Sequence, residues 1–99
     1  MKLLDAKRLF FQLRKLNRID LAENHVVNHH RERGYSVGEV LNLVKALGTF
    51  HNTNDQQFLG TRFYWRTKDI VGKKVRLVIE FENDEEGHLI LVVSAGERL

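Results

Sequence analysis

The amino-acid sequence predicts an α+β fold in which two to three N-terminal helices pack on one face of a three- to four-stranded antiparallel meander sheet. Two observations indicate this fold. Apolar residues recur at helical spacing up to about Gly48, and after it they alternate with polar residues as in strands. The 99 residues contain no proline and show no low-complexity run or internal repeat, so we expect a single domain over residues 1–99.

The first predicted helix covers residues 4–17 and is amphipathic. Its apolar stripe consists of Ala6, Leu9, Phe10, Leu13 and Leu16. Leu3, Leu4 and Phe11 lie off this stripe and give the helix a second apolar side. That side would either contact a partner protein or be enclosed within the domain.

Two further helices are predicted from pairs of residues spaced as capping boxes, in which a polar side chain and a Glu three positions later cap backbone N–H groups. Glycines that follow each segment are expected to end it. The assignments are Asp20 and Glu23 for a helix over 21–33 ended by Gly34, and Ser36 and Glu39 for a helix over 37–47 ended by Gly48.

Two strands are predicted from alternating polarity, over residues 61–67 and 74–81. A third strand, expected to be the most buried, is predicted over 88–95 from a nearly continuous apolar run, and a shorter strand at 49–52 has a weaker pattern. Successive side chains of a strand point to opposite faces, so each strand has one face toward the helices. The side chains expected on that face are Phe63, Trp65, Val75, Leu77, Ile79 and Phe81.

Composition and charge limit the kinds of site that the chain can form. Without cysteine, disulfides, thiolate zinc sites and cysteine nucleophiles are excluded. No run approaches the ~18 apolar residues of a membrane span, so we expect a cytoplasmic protein without a signal peptide or membrane contact. The net charge is +3, and residues 61–81 carry six Lys/Arg against two acids. This distribution is consistent with a polyanionic partner, and equally with a mixed solvated surface.

A basic surface is predicted on the sheet face that points away from the helices. With a hairpin loop centred near residue 70, Arg66 would lie opposite Lys74, and Tyr64 opposite Arg76. Lys and Arg neutralise phosphates and Tyr offers a ring and a hydroxyl, so this face, which also includes Arg62, predicts RNA binding. The alternative is a face kept soluble by charge, although like charges in direct opposition cost stability.

A ridge of basic side chains is predicted on the second helix. His25, His29 and Arg33 are spaced four apart, so they lie along one side of a helix. Imidazoles can transfer protons near neutral pH, and Arg forks onto phosphate oxygens. Two His at this spacing can also bind zinc, but no third ligand stands at a recognisable spacing, so we expect no metal and no cofactor. A partly buried, purely structural His25 is the remaining alternative.

The ridge belongs to a longer motif that reads HVVNHHRERGYSVGEV and runs from His25 to Val40. This motif resembles that of the BrnT-type toxins and, more loosely, of the RelE/ParE fold group. Those small bacterial and phage domains share a His, an Arg eight positions later, then Gly, a hydrophobic residue and Ser or Thr. The positions that match are His25, Arg33, Gly34 and Ser36, and Ser94 matches the closing strand.

The resemblance implies a toxin that cleaves RNA or blocks the ribosome and is held inactive by an antitoxin. It covers residues 20–99, which would form the toxin-like α+β core, and leaves residues 1–19 as an N-terminal helical extension.

These observations lead to the hypothesis of a toxin-like RNA-binding domain that acts as a metal-independent endoribonuclease. In such a reaction the RNA 2′-hydroxyl attacks the adjacent phosphate, so the protein supplies a base, an acid and cations. The residues expected to carry it are His25, His29, Arg33, Tyr64 and Arg76 as catalytic groups, and Arg62, Arg66 and Lys74 as RNA-binding groups.

The rival hypothesis is a non-catalytic interaction module. In it the first helix contacts an antitoxin, another protein or a second copy of the chain through Leu3, Leu4 or Phe11. The enzyme hypothesis requires the basic sheet residues and the His25–Arg33 ridge to share one surface.

Overall fold

The structure is a computed structural model that describes residues 1–22 and 35–97. Within these residues it confirms the α+β class, with helices on one face of a five-stranded sheet. The elements are α1 (Leu3–Lys15), β1 (Ile19–Leu21), α2 (Val37–Lys45), β2 (Gly48–Asn52), a 3-10 turn (Gln56–Phe58), β3 (Phe63–Lys68), β4 (Lys74–Asp84) and β5 (Gly87–Glu97). No helix in these ranges has the length and apolar composition needed to cross a membrane.

The sheet is mixed, which corrects the expectation of a purely antiparallel meander. Its order is β1-β5-β4-β3-β2, and the four strands from β2 to β5 form the predicted meander. The fifth strand, β1, pairs parallel to β5, so that Leu21 lies opposite Val92. The predicted second helix therefore does not start at residue 21. Asp20 accepts a hydrogen bond from the Leu21 N–H (2.8 Å) within the strand. Residues 23–33 of that predicted helix, and Gly34, which is expected to end it, lie outside the described residues.

The helix α1 packs on the sheet through its predicted apolar stripe. Its buried residues are Ala6, Phe10 and Leu13. The Phe10 ring lies 5.1 Å from that of Phe50 and 4.7 Å from that of Trp65, so α1 shares one core with the sheet. The helix ends at Lys15, two residues earlier than predicted, and Leu16 is consequently 62% exposed.

The helix α2 begins at the predicted capping box. Ser36 Oγ accepts from the Glu39 N–H (3.2 Å), and Glu39 Oε1 accepts from the Ser36 N–H (3.1 Å). The helix ends at Lys45, before the predicted residue 47, so Leu47 lies in the link to β2 and is 94% exposed.

The early end of α2 is stabilised by side chains from two other elements. Trp65 donates from Nε1 to the Leu43 carbonyl (2.9 Å). Arg14 donates from Nη1 to the carbonyls of Ala46 (3.0 Å) and Val44 (3.4 Å). The last carbonyls of a helix have no partner within the helix, so these bonds fix its end against β3 and α1.

The β3–β4 hairpin has a different register from the predicted one. Arg66 lies opposite Arg76, and Lys68 lies opposite Lys74, because the loop is centred on residue 71. The Asp69 carboxylate sets this loop by accepting from two backbone N–H groups within it, at 2.9 and 3.1 Å. A shift of two residues preserves which face each side chain occupies. Phe63 and Trp65 therefore still face the helices, and the basic residues still face away.

The β4–β5 turn at the opposite end of the hairpin is held by Arg18, which follows α1. Its guanidinium donates to the carboxylates of Asp84 and Glu86 and to the carbonyls of Gly87 (3.4 Å) and His88 (3.3 Å). The hydrogen bond from Arg18 lowers the pKa of Asp84, with the turn's backbone N–H groups acting in the same direction.

Candidate nucleic-acid interface

The sheet face that points away from α1 and α2, here the outer face, carries two pairs of opposed cations. The Arg pair consists of Arg66 and Arg76, and the Lys pair consists of Lys68 and Lys74. Trp65 and Leu77 lie opposite each other on the buried face. Because successive side chains of a strand point to opposite faces, Arg66, which follows Trp65, and Arg76, which precedes Leu77, lie on the outer face. The two Arg side chains are half-buried and the two Lys side chains are exposed. Together the two pairs form the cation patch.

The cation patch has no compensating acid in the described part of the chain. The ion pairs found there involve Arg18 and Arg62. Arg66 Nε is buried and has no hydrogen-bond partner. Like charges in direct cross-strand opposition destabilise a sheet, and a buried donor without an acceptor costs free energy. Among the described residues the arrangement therefore carries two free-energy costs, and a bound anion would relieve both.

Tyr64 lies beneath one member of the Arg pair. The Arg76 guanidinium carbon lies 4.3 Å from the centroid of the Tyr64 ring, and Tyr64 is only 8% exposed. Its hydroxyl accepts a hydrogen bond from Thr53 Oγ1 (3.3 Å). This bond lowers the pKa of Tyr64, and the Asn54 backbone and the Arg76 charge act with it against desolvation. The ring thus supports Arg76, and a base could stack on this ring face only by displacing the guanidinium.

Small and polar residues flank the cation patch on both neighbouring strands. On β2, Thr49 lies opposite Arg66 and His51 lies opposite Tyr64. On β5, Gly96 lies opposite Arg76, so no side chain stands beside that guanidinium on this strand. Thr49 is exposed on the β2 side of the patch, whereas Gly96 is buried on the β5 side.

His51 is a candidate that the sequence pattern did not assign to this face. Its ring Nε2 lies 2.7 Å from Thr49 Oγ1, and the ring is half-buried on the outer face. Recognising its position required the register of β2, the strand with the weakest pattern. Phe50 is buried, and because side chains alternate along a strand, this is the signal that would have assigned His51 to the outer face.

Arg62, predicted to bind RNA, lies on the outer face beyond the cation patch. Its Nε donates to Glu80 Oε1 (3.2 Å), and its guanidinium lies 3.8 Å from the Phe58 ring. Its charge is therefore compensated within the protein. Of the other predicted sheet residues, the structure brings together Tyr64, Arg66, Lys74 and Arg76.

The other half of the predicted site, His25, His29 and Arg33, lies outside the described residues. Their convergence with the cation patch stays a prediction. Among residues 1–22 and 35–97, no three His, Asp or Glu side chains are placed to hold a metal ion together.

The predicted protein-binding side of α1 is only partly exposed. The Phe11 ring packs edge-on against Trp65, with centroids 5.7 Å apart, and the Arg14 guanidinium lies 4.6 Å from its centre. Phe11 is thus occupied by contacts within the domain. Leu4 is 58% exposed and Leu3 36%.

No family model, no curated protein and no solved structure matches this chain. The resemblance to BrnT-type toxins therefore depends on the sequence motif, most of which lies between residues 25 and 34. The geometry of the outer face is independent of that motif.

Proposed function

We propose that this chain is a toxin-like RNA-binding domain that holds the RNA backbone against the outer face of its sheet. The observation that carries the proposal is the Arg pair. Within residues 1–22 and 35–97, no acid forms an ion pair with either arginine, and Arg66 Nε is buried without a hydrogen-bond partner. An arrangement that costs stability in the free protein is expected where a ligand completes it.

Phosphate is the anion that suits this arrangement best. A guanidinium donates two parallel hydrogen bonds to a phosphate, and two opposed guanidinium groups can hold the oxygens of one phosphodiester from both sides. The Lys pair extends the positive surface along the same two strands. Backbone phosphates repeat along a nucleic acid, so a cation patch that repeats along a strand favours such a polymer over a single small anion.

RNA cleavage is the catalytic form of this proposal. It would use His25 or His29 as the base or acid and Arg33 as a further phosphate ligand, with the Arg pair stabilising charge on the reacting phosphate. His51 supplies a third imidazole, already located on the outer face. The reaction would need no metal, so cleavage should persist in a chelator and should be lost in His25→Ala. Loss of cleavage in the chelator would contradict this form of the proposal.

The binding proposal is tested by titrating labelled single-stranded RNA against the wild type and an Arg66→Ala/Arg76→Ala variant. We expect the variant to bind at least about tenfold more weakly, because each lost charge-assisted hydrogen bond contributes roughly 1.5–3 kcal/mol. The matched control is Lys7→Ala/Arg8→Ala, which removes the same charge from the exposed side of α1. Equal weakening in both variants would show that only net charge matters, and would refute a defined site.

A second candidate function is a protein interface on α1, favoured by the exposure of Leu3 and Leu4 at its start. The partner would be an antitoxin-like protein or a second copy of the chain. Sedimentation of the wild type and of Leu4→Glu tests the second case, since substitution of an exposed residue leaves the fold intact and should dissociate a dimer. A monomeric wild type would eliminate the homodimer.

A further inference from the structure

The cation patch has a defined length along the strands, and this length limits what it can bind. The Arg pair and the Lys pair are two residues apart on both β3 and β4. Side chains on one face of a strand repeat at about 7 Å, twice the rise per residue. Neighbouring phosphates of one extended nucleic-acid strand can match this repeat, one phosphate at each pair.

Beyond the Arg pair the outer face loses its positive charge. The next cross-strand pair is Tyr64 and Val78, which carries no cation. The following position on β4 is Glu80, which neutralises Arg62, and then comes Glu82, which is exposed. A phosphate chain that continued along the strands in this direction would meet the carboxylate of Glu82, which forms no ion pair with the described residues.

Beyond the Lys pair the strands end. The loop that joins them presents Ile70 and Val71, whose exposed fractions are 100% and 74%. Its acid, Asp69, is engaged with backbone N–H groups and with the Tyr35 hydroxyl (3.0 Å). Its cation, Lys73, acts electrostatically on the Asp69 carboxylate and is not part of a cross-strand pair. The phosphate-binding track on β3 and β4 is therefore two cation pairs long.

We propose that the cation patch binds two consecutive phosphates of a single RNA strand, and that it selects single strands over duplexes; this rests on the proposed function. A flexible strand can leave the face after the second phosphate. A duplex is stiff and would carry its next phosphates toward Glu80 and Glu82 or past the loop. Thr49, a small exposed residue beside Arg66 on β2, leaves room for the sugars of a strand lying along that side of the patch.

The footprint predicts the length and salt dependence of binding. For a single strand, the slope of log K against log salt is about −0.7 for each phosphate neutralised, so two phosphates give a slope of about −1.4. Affinity should then fall only about sevenfold between 50 and 200 mM salt. It should rise strongly from UpU, with one phosphate, to UpUpU, with two, and change little in longer oligouridylates.

The experiment measures binding of oligouridylates of increasing length, and of an RNA duplex, to the full chain at several salt concentrations. Lys68→Ala/Lys74→Ala should bind UpUpU little more tightly than UpU, because only the Arg pair remains to hold a phosphate. The matched control is Lys7→Ala/Lys15→Ala, which removes two exposed charges from α1 and should keep the gain.

Three outcomes would overturn the footprint while leaving RNA binding intact. They are an affinity that keeps rising well beyond UpUpU with a much steeper salt slope, a duplex bound as tightly as a single strand, and a Lys-pair variant that behaves as the control does. Absence of binding to any oligomer at low salt would instead overturn the proposed function itself, and the footprint with it.

Discussion

Replacing Arg66 by Met should make the protein more stable and a poorer RNA binder. Methionine keeps an unbranched apolar stem and removes the guanidinium. Arg66 stands directly opposite Arg76, its Nε is buried without an acceptor, and no acid compensates it in the part of the chain that the structure describes. An arginine that stabilises the fold would instead be paired with an acid and would have its buried N–H hydrogen-bonded.

The expected gain follows from two contributions. Removing one of two directly opposed like charges relieves about 0.2–1 kcal/mol. Removing a buried donor that lacks an acceptor relieves at most about 1–3 kcal/mol, and less here because Arg66 as a whole is only half-buried. After allowance for lost side-chain packing, we expect a net stabilisation of about 1 kcal/mol, which raises the Tm of a domain of this size by roughly 4–8 °C.

Two other arginines serve as controls in the same thermal denaturation assay. Arg14→Met removes the hydrogen bonds to the end of α2 and the stacking on Phe11, and should destabilise by about 1–3 kcal/mol. Arg8→Met changes an exposed residue and should stay within about 0.5 kcal/mol of the wild type. The reasoning would be refuted if Arg66→Met melted several degrees below the wild type while keeping full RNA affinity.

Three further predictions concern the fold. Gly48→Ala should destabilise the protein by more than about 1 kcal/mol, because a Cβ there meets a backbone oxygen of β3 and lies 2.9 Å from the Trp65 ring. Gly38→Ala, near the start of α2, where a Cβ makes no close contact, should be neutral or stabilising in thermal denaturation run in parallel. Phe10→Ala should cost about 3–5 kcal/mol in urea unfolding, and a loss under 1 kcal/mol would contradict its central place in the core. Because Arg18 lowers the pKa of Asp84, this pair stabilises the fold above the carboxyl's ordinary pKa, and the stabilisation is lost as the pH falls below about 4. Arg18→Ala should therefore lose less free energy of unfolding on acidification than the wild type. Identical losses of stability below about pH 4 in the two proteins would exclude this coupling.

Features set by neighbouring residues could be predicted from the sequence. The capping box of Ser36 and Glu39 forms as its spacing indicates, because both partners lie within one helical turn. The alternation along β3 and β4 likewise assigned Trp65 to the core and Arg66 and Arg76 to the outer face. These assignments depend on the geometry of a single segment, and a register error of two residues does not alter them.

Features that depend on pairing between distant segments were decided only by the tertiary structure. A three-residue strand is too short to show alternation, so nothing in residues 19–21 indicated that β1 pairs parallel to β5. Helical spacing alone did not reveal that α2 ends early against Trp65 and Arg14.

The candidate site divides in the same way. Its composition, cations and a tyrosine on one sheet face, was determined by the sequence because strand periodicity is local. Its electrostatics were not. Whether Arg66 faces Lys74 or Arg76 depends on how Asp69 closes the loop, and whether Arg62 is free depends on Glu80 arriving from the next strand. Charges act through space across paired strands, so only the register could distinguish Arg62, which pairs with an acid, from Arg66 and Arg76, which form no ion pair with the described residues.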